Sequence, residues 1–111
     1  MRFTLKTSGR AKREYNACLD YIAARSTKGA DSWIAAYEKM AERLKDNADT
    51  CSLAAENDWT DFEVRDILFR TRRGRPYRLL FTIVENTVWI LHVRGPGQDF
   101  VGPDEIANPP E

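Results

Sequence analysis

The sequence predicts an α+β fold, in which an N-terminal strand and an antiparallel helical hairpin pack on a twisted antiparallel sheet. Three observations predict it. Apolar residues recur at helical spacing in two stretches between residues 9 and 45, three strand-like runs follow residue 63, and short polar breaks separate the elements. At 111 residues the chain has the length of a single domain with one modest core, residues 1–111, ending in an irregular tail from about residue 95.

Phe3 and Leu5 alternate with Arg2, Thr4 and Lys6, the pattern of a short half-buried strand. Thr7, Ser8 and Gly9 supply turn and cap chemistry, and Ala11, Tyr15, Cys18, Leu19 and Ile22 then share one helical face over roughly residues 9–25. Residues 26–29 break that helix and offer a new cap. Trp33, Tyr37, Met40, Ala41 and Leu44 mark a second stripe, and the short link makes the two helices an antiparallel hairpin. An aromatic and methionine stripe at this spacing reads as core rather than as a cofactor site.

Residues 47–63, NADTCSLAAENDWTDFE, show no periodicity, and a loop of that length in a compact domain is often functional. Strand-like runs then cover 64–71, 77–84 and 87–94, rich in Val, Ile, Leu, Phe and Trp. With Glu85 and Asn86 as a two-residue turn, Val84 pairs with Thr87 and Arg78 with Val93. Tyr77, Leu79, Phe81 and Ile83 then share a face with Val88, Ile90, His92 and Arg94. Arg78, Leu80, Thr82, Trp89, Leu91 and Val93 share the other. If residues 72–76 form the preceding loop, Arg70 stands opposite Arg78.

Composition excludes several classes of function. Lys plus Arg equals Asp plus Glu at 17 each, so any case for nucleic acid is local. The first ten residues lack the apolar run of a secretory signal, and no stretch approaches the roughly eighteen apolar residues of a membrane span, so a cytoplasmic protein with no membrane partner is expected. Cys18 and Cys51 are far apart and the chain has a single histidine, so no metal and no cofactor is expected, and both cysteines read as packing residues.

Positive charge is concentrated locally. RTRRGRPYR, residues 70–78, holds five arginines. Arg72, Arg73 and Arg75 fall on a loop, where they suit nucleic acid, an acidic partner or plain solvation. Like charges facing across a ladder are destabilising, so an Arg70/Arg78 pair points to an anionic partner. Trp89, on that same face, suits stacking on a base or cover by a loop or partner. Arg94, beside Gly95, Pro96 and Gly97, is a contact candidate. His92, among Leu79, Phe81 and Ile90, reads as a packed, hydrogen-bonded residue.

The run YRLLFTIVENTVWILHVRG, preceded by a strand, a helical hairpin and a variable loop, resembles the RelE/ParE superfamily of toxins from type II toxin–antitoxin modules. The resemblance covers about residues 3–96. It rests on Tyr77-Arg78-Leu79-Leu80-Phe81, on the strand from Val88 to Arg94, and on Cys51-Ser52-Leu53-Ala54-Ala55-Glu56 after the second helix. It implies a growth-inhibiting toxin, hetero-oligomeric with a cognate antitoxin. In the RelE branch the target is mRNA on the ribosome, and cleavage needs cations on the phosphate with a general acid and base. That pattern assigns Arg78 and Arg70 as catalytic cations, with Glu56 or Glu63 as the carboxylate. In the ParE branch the toxin poisons DNA gyrase without enzyme chemistry, and a decayed member would only bind antitoxin. Two departures favour the non-enzymatic readings. Asp66 and Leu68 stand where RelE has lysines, and no Arg, Lys, His or Tyr follows Arg94.

Overall fold

The structure, a computed structural model, describes residues 2–106; residue 1 and residues 107–111, the outer ends of the expected domain and tail, lie outside the described residues. The elements are β1 (Thr4–Thr7), α1 (Gly9–Ala23), α2 (Thr27–Asn47), β2 (Arg65–Phe69), β3 (Tyr77–Val84) and β4 (Thr87–Arg94). The class is α+β as expected, but the sheet is mixed. Its order is β1-β4-β3-β2, with β1 parallel to β4 and the other pairs antiparallel. Parallel neighbours need a long crossover rather than a tight turn, and the helical hairpin provides it.

Ser8 fixes the passage from β1 into α1. Its backbone N–H donates to Ile90 O at 2.9 Å, and its hydroxyl caps the helix by accepting from the Ala11 N–H at 3.1 Å. Ser26 repeats the device for α2, accepting from the Gly29 N–H at 2.9 Å. The hairpin buries Ala11, Trp33, Met40 and Leu44 against Phe69, Leu79, Phe81, Val88, Ile90 and Val93 of the sheet. Trp33 is the hub, with ring centroids at 5.0 Å from Tyr15, 5.6 Å from Phe69 and 5.5 Å from Tyr77. Cys18 and Cys51 are half-buried beside this core and unlinked.

The sheet register departs from the alternation in two places. From Val84↔Thr87 to Phe81↔Ile90 it is the expected one, and then a bulge inserts Leu91 as an extra residue on β4. Beyond the bulge Val93 stands opposite Leu79 beneath the helices, His92 opposite Leu80, and Arg94 opposite Arg78. The second departure is at β2, where Leu68, not Arg70, pairs with Arg78, and Arg70 lies past the paired strand. A slip of two residues leaves every side chain on its face, so alternation does not choose between these registers. The rings choose instead: Phe69 packs 5.6 Å from its cross-strand partner Tyr77. At the β3–β4 turn the left-handed residue is Glu85 (φ 56°), not Asn86.

The second face of the sheet is also closed. Leu80 packs with Ala54, Val64 and Val101, flanked by Phe62 and Ile106. The long loop after α2 forms single 3₁₀ turns at Ala48–Thr50 and Ala55–Trp59, so it serves as cover. The tail returns through a tight turn at Pro96 and Gly97, where Gly97 adopts φ 82° and the Gln98 N–H donates to Gly95 O at 3.2 Å.

Closure on both faces makes a quantitative prediction. Phe81→Ala should destabilise by about 3–5 kcal/mol and Leu80→Ala by about 2–5 kcal/mol in urea titrations. A loss below about 1 kcal/mol for Leu80→Ala would mean that the second face is open to water.

Candidate functional site

Arg78 projects from β3 onto the second face, between Leu68 of β2 and Arg94 of β4. Its guanidinium uses four of its five N–H donors on carboxylates. Nη1 donates to Glu56 Oε2 at 2.9 Å and Nη2 to Glu56 Oε1 at 2.6 Å, a bidentate pair. Nε and Nη2 donate to Asp66 Oδ2 at 3.1 and 2.9 Å. The Phe100 ring lies over the same group, 5.4 Å from centroid to guanidinium carbon.

Glu56 has no solvent exposure. It sits in the Ala55–Trp59 turn, which is held to the residue just before β2 by the Ala54 N–H donating to Val64 O at 2.8 Å and by the Val64 N–H donating to Asn57 Oδ1 at 2.9 Å. Its Oε2 also accepts from the Val101 N–H at 2.9 Å, which pins the returning tail. Trp59 fastens the same segment, its indole N–H donating to Val101 O at 3.0 Å. Burial pushes the Glu56 carboxyl up, but the hydrogen bonds from Arg78 and Val101 outweigh it and leave the pKa below the ordinary carboxylate value. Arg78 is held protonated chiefly by Glu56, with Asp66 adding to it.

The facing arginines are therefore Arg78 and Arg94, not Arg70 and Arg78, and their compensation is internal. Glu56 and Asp66 neutralise the first, while Arg94 donates to Asp99 O at 2.8 Å. Arg94 Nε is buried without a partner. Trp89 is half-buried on β4, with the Lys6 ammonium 5.6 Å from its ring centroid. Arg70, Arg72, Arg73 and Arg75 are exposed, and none forms an ion pair among the described residues. Arg75 borders a groove of about 410 Å³ with Tyr21, Trp33 and Tyr77. Glu63 pairs with Arg65 at 3.0 Å and is not part of the Arg78 cluster. Among the described residues, no group of three or more His, Cys, Asp and Glu side chains is arranged to hold a metal, and no helix is long and apolar enough to cross a membrane.

The structure assembles a further cluster that the sequence pattern does not signal. His92, almost fully buried, has Nδ1 at 3.1 Å from Glu14 Oε2 and Nε2 at 3.2 Å from Glu105 O. Glu14 also accepts from the Val93 N–H at 2.8 Å, and Arg10 reaches Glu105 at 3.0 Å. His92 thus stitches α1 to the tail. It is packed and hydrogen-bonded as expected, but the bulge at Leu91 turns it onto the face of Leu80 and not that of Leu79, Phe81 and Ile90.

A family model described as ParE toxin of type II toxin-antitoxin system, parDE, matches residues 5–100. The chain belongs to this ParE toxin family. No curated protein and no solved structure matches it. The match runs from within β1 to Phe100, so it takes in the sheet, the hairpin and the whole Arg78–Glu56–Asp66 cluster. Membership in the family implies an antitoxin partner.

Removing Arg78 should leave Glu56 charged, enclosed and unpaired. Arg78→Ala is expected to cost about 3–5 kcal/mol of folding stability, measured by denaturant titration. The acid response has a definite sign. Glu56 binds its proton more weakly in the folded chain than at the ordinary value of 4.5, so its contribution is complete above that pH and is lost as pH falls through the lower folded value. Glu56→Gln should therefore be less stable at neutral pH, and its stability should fall less steeply under acid than that of the wild type. Parallel pH profiles for the two proteins would contradict this.

Proposed function

We propose that this toxin acts by binding a protein target, DNA gyrase in the cytoplasm, without cutting RNA, and that a cognate antitoxin neutralises it by forming a hetero-oligomer. One observation carries the choice: every nitrogen of the Arg78 guanidinium is bound to a carboxylate of the chain itself. A phosphate-stabilising cation acts through free donors aimed at the developing charge. Arg78 has four of its five donors on carboxylates of its own chain.

Other features support the same reading. Glu56, the carboxylate assigned as base by the nuclease pattern, has both oxygens engaged and no path to a ribose hydroxyl. Arg70 is not registered against Arg78, so the second cation of that pattern is not beside the first. Nothing after Arg94 supplies an acid of the Tyr, His, Lys or Arg type. Arg72, Arg73 and Arg75, exposed and without ion pairs on the turn between β2 and β3, suit an acidic protein surface.

Induction without antitoxin should arrest growth while the 5′ ends of cellular messages stay as in uninduced cells, and DNA breaks should accumulate. Purified protein should inhibit supercoiling by gyrase. Arg72→Glu/Arg73→Glu/Arg75→Glu should weaken that inhibition at least about tenfold with little change in melting temperature. Codon-phased message cleavage, with supercoiling unaffected, would overturn the proposal.

A further inference from the structure

The two segments that close the second face of the sheet carry charge of one sign. Residues 48–64, the loop after α2, hold five acidic side chains and no basic one, and residues 95–106 of the tail hold three and none. In a chain with equal numbers of acids and bases, all the positive charge therefore lies elsewhere. Glu56, Glu63 and Glu105 of these segments pair with arginines. Asp58, Asp61 and Asp99 are exposed and form no ion pair among the described residues.

Two aromatic rings stand out from the same cover. Trp59 is 39% exposed and Phe100 59%, with their centroids 6.4 Å apart and their planes near edge-to-face. Both are held through Val101, which is itself fully buried. Its N–H donates to Glu56 Oε2 at 2.9 Å, and its carbonyl accepts from the Trp59 indole N–H at 3.0 Å. Phe100, the preceding residue, rests over the Arg78 guanidinium. The folded chain thus keeps two large apolar groups side by side at its surface in a fixed arrangement, as anchors of binding surfaces are kept. Asp58 and Asp61 lie within two residues of one ring, and Asp99 adjoins the other.

We propose that the Trp59–Phe100 pair docks an arginine-bearing segment of a partner protein, whose guanidinium groups stack on the rings and pair with Asp58, Asp61 and Asp99. A guanidinium is planar and weakly hydrated, so it both stacks on aromatic faces and forks onto carboxylates, which a lysine ammonium does less well. Charge selects this occupant over others. The phosphates of nucleic acid or of an anionic membrane would meet unpaired carboxylates. A metal ion is a poorer occupant, because among the described residues no three His, Cys, Asp or Glu side chains are arranged to hold one. A second copy could offer its own Arg72, Arg73 and Arg75. Joining two different patches leaves one of each free, however, so that assembly would continue into rings or open chains. The docking is independent of the choice of gyrase as target.

The test titrates isotope-labelled full-length protein with a short synthetic peptide alternating Arg with Gly, and follows backbone amides and the Trp59 indole N–H by nuclear magnetic resonance. Shifts should centre on Trp59, Asp99 and Phe100, and a peptide alternating Glu with Gly should cause none. Asp58→Asn/Asp61→Asn/Asp99→Asn should weaken the arginine peptide at least about tenfold with the fold unchanged. Phe100→Leu, which keeps an apolar group over Arg78 and removes the ring, should weaken it about two- to fivefold. The carboxylate variant carries the test if that one fails to fold. No response at these residues, or an unchanged affinity in either folded variant, would overturn the proposal. So would tighter binding of oligouridylate or of magnesium ion at the same signals, or the same shifts arising with concentration in the protein alone.

Discussion

The guanidinium of Arg78 is where three segments far apart in the chain meet. Glu56 comes from the loop after α2, 22 residues earlier, and Asp66 from β2, 12 residues earlier. Through its other hydrogen bond Glu56 also holds Val101 of the tail. Without this cation, two carboxylates would face a closed apolar layer of Leu80, Val64 and Val101. A buried ion pair contributes modest net stability compared with an apolar replacement, but losing one partner alone is costly. The cluster therefore acts less as a source of stability than as a lock on arrangement. The loop and the tail must both lie on the second face for the charge to be satisfied.

That lock determines what the face is able to do. A sheet surface that clamps phosphate needs cations whose donors are free and whose field is not cancelled. Here the bulge at Leu91 brings Arg94 opposite Arg78, which raises the local positive charge, and the chain answers with its own carboxylates and carbonyls. Arg70, Arg72, Arg73 and Arg75, which follow β2, are exposed and form no ion pair among the described residues. Four exposed arginines thus stand at the end of the sheet, while the arginines on its second face are met by the chain itself.

Much of the fold was legible in the sequence. Apolar periodicity placed both helices, and the Val84–Thr87 turn with its flanking strands was readable because hairpin connections are short and alternation is strict. Legibility ended where the deciding contacts were remote. A bulge at Leu91 leaves no mark on the pattern, since Leu91 and Val93 are both apolar. The Arg70 or Leu68 choice opposite Arg78 was hidden because both registers keep Phe69 on the core face. The parallel pairing of β1 with β4 depends on the crossover as a whole rather than on any local residue. For the site, Arg78 and Glu56 stood out in the sequence as a cation and a carboxylate. Their bond to each other spans a loop with no periodicity to read.

The central claim is that Arg78 serves the fold through Glu56. A double-mutant cycle tests it most directly, using Glu56→Leu and Arg78→Met separately and together, with stability from denaturant titration and growth arrest on induction as the two readouts. Neighbours that depend on one another couple strongly, so the account predicts a coupling energy of about 2 kcal/mol or more and a double variant that recovers much of the loss of either single one. That double variant should also arrest growth as the wild type does. Additive losses with coupling near zero, or a stably folded double variant that no longer arrests growth, would contradict it.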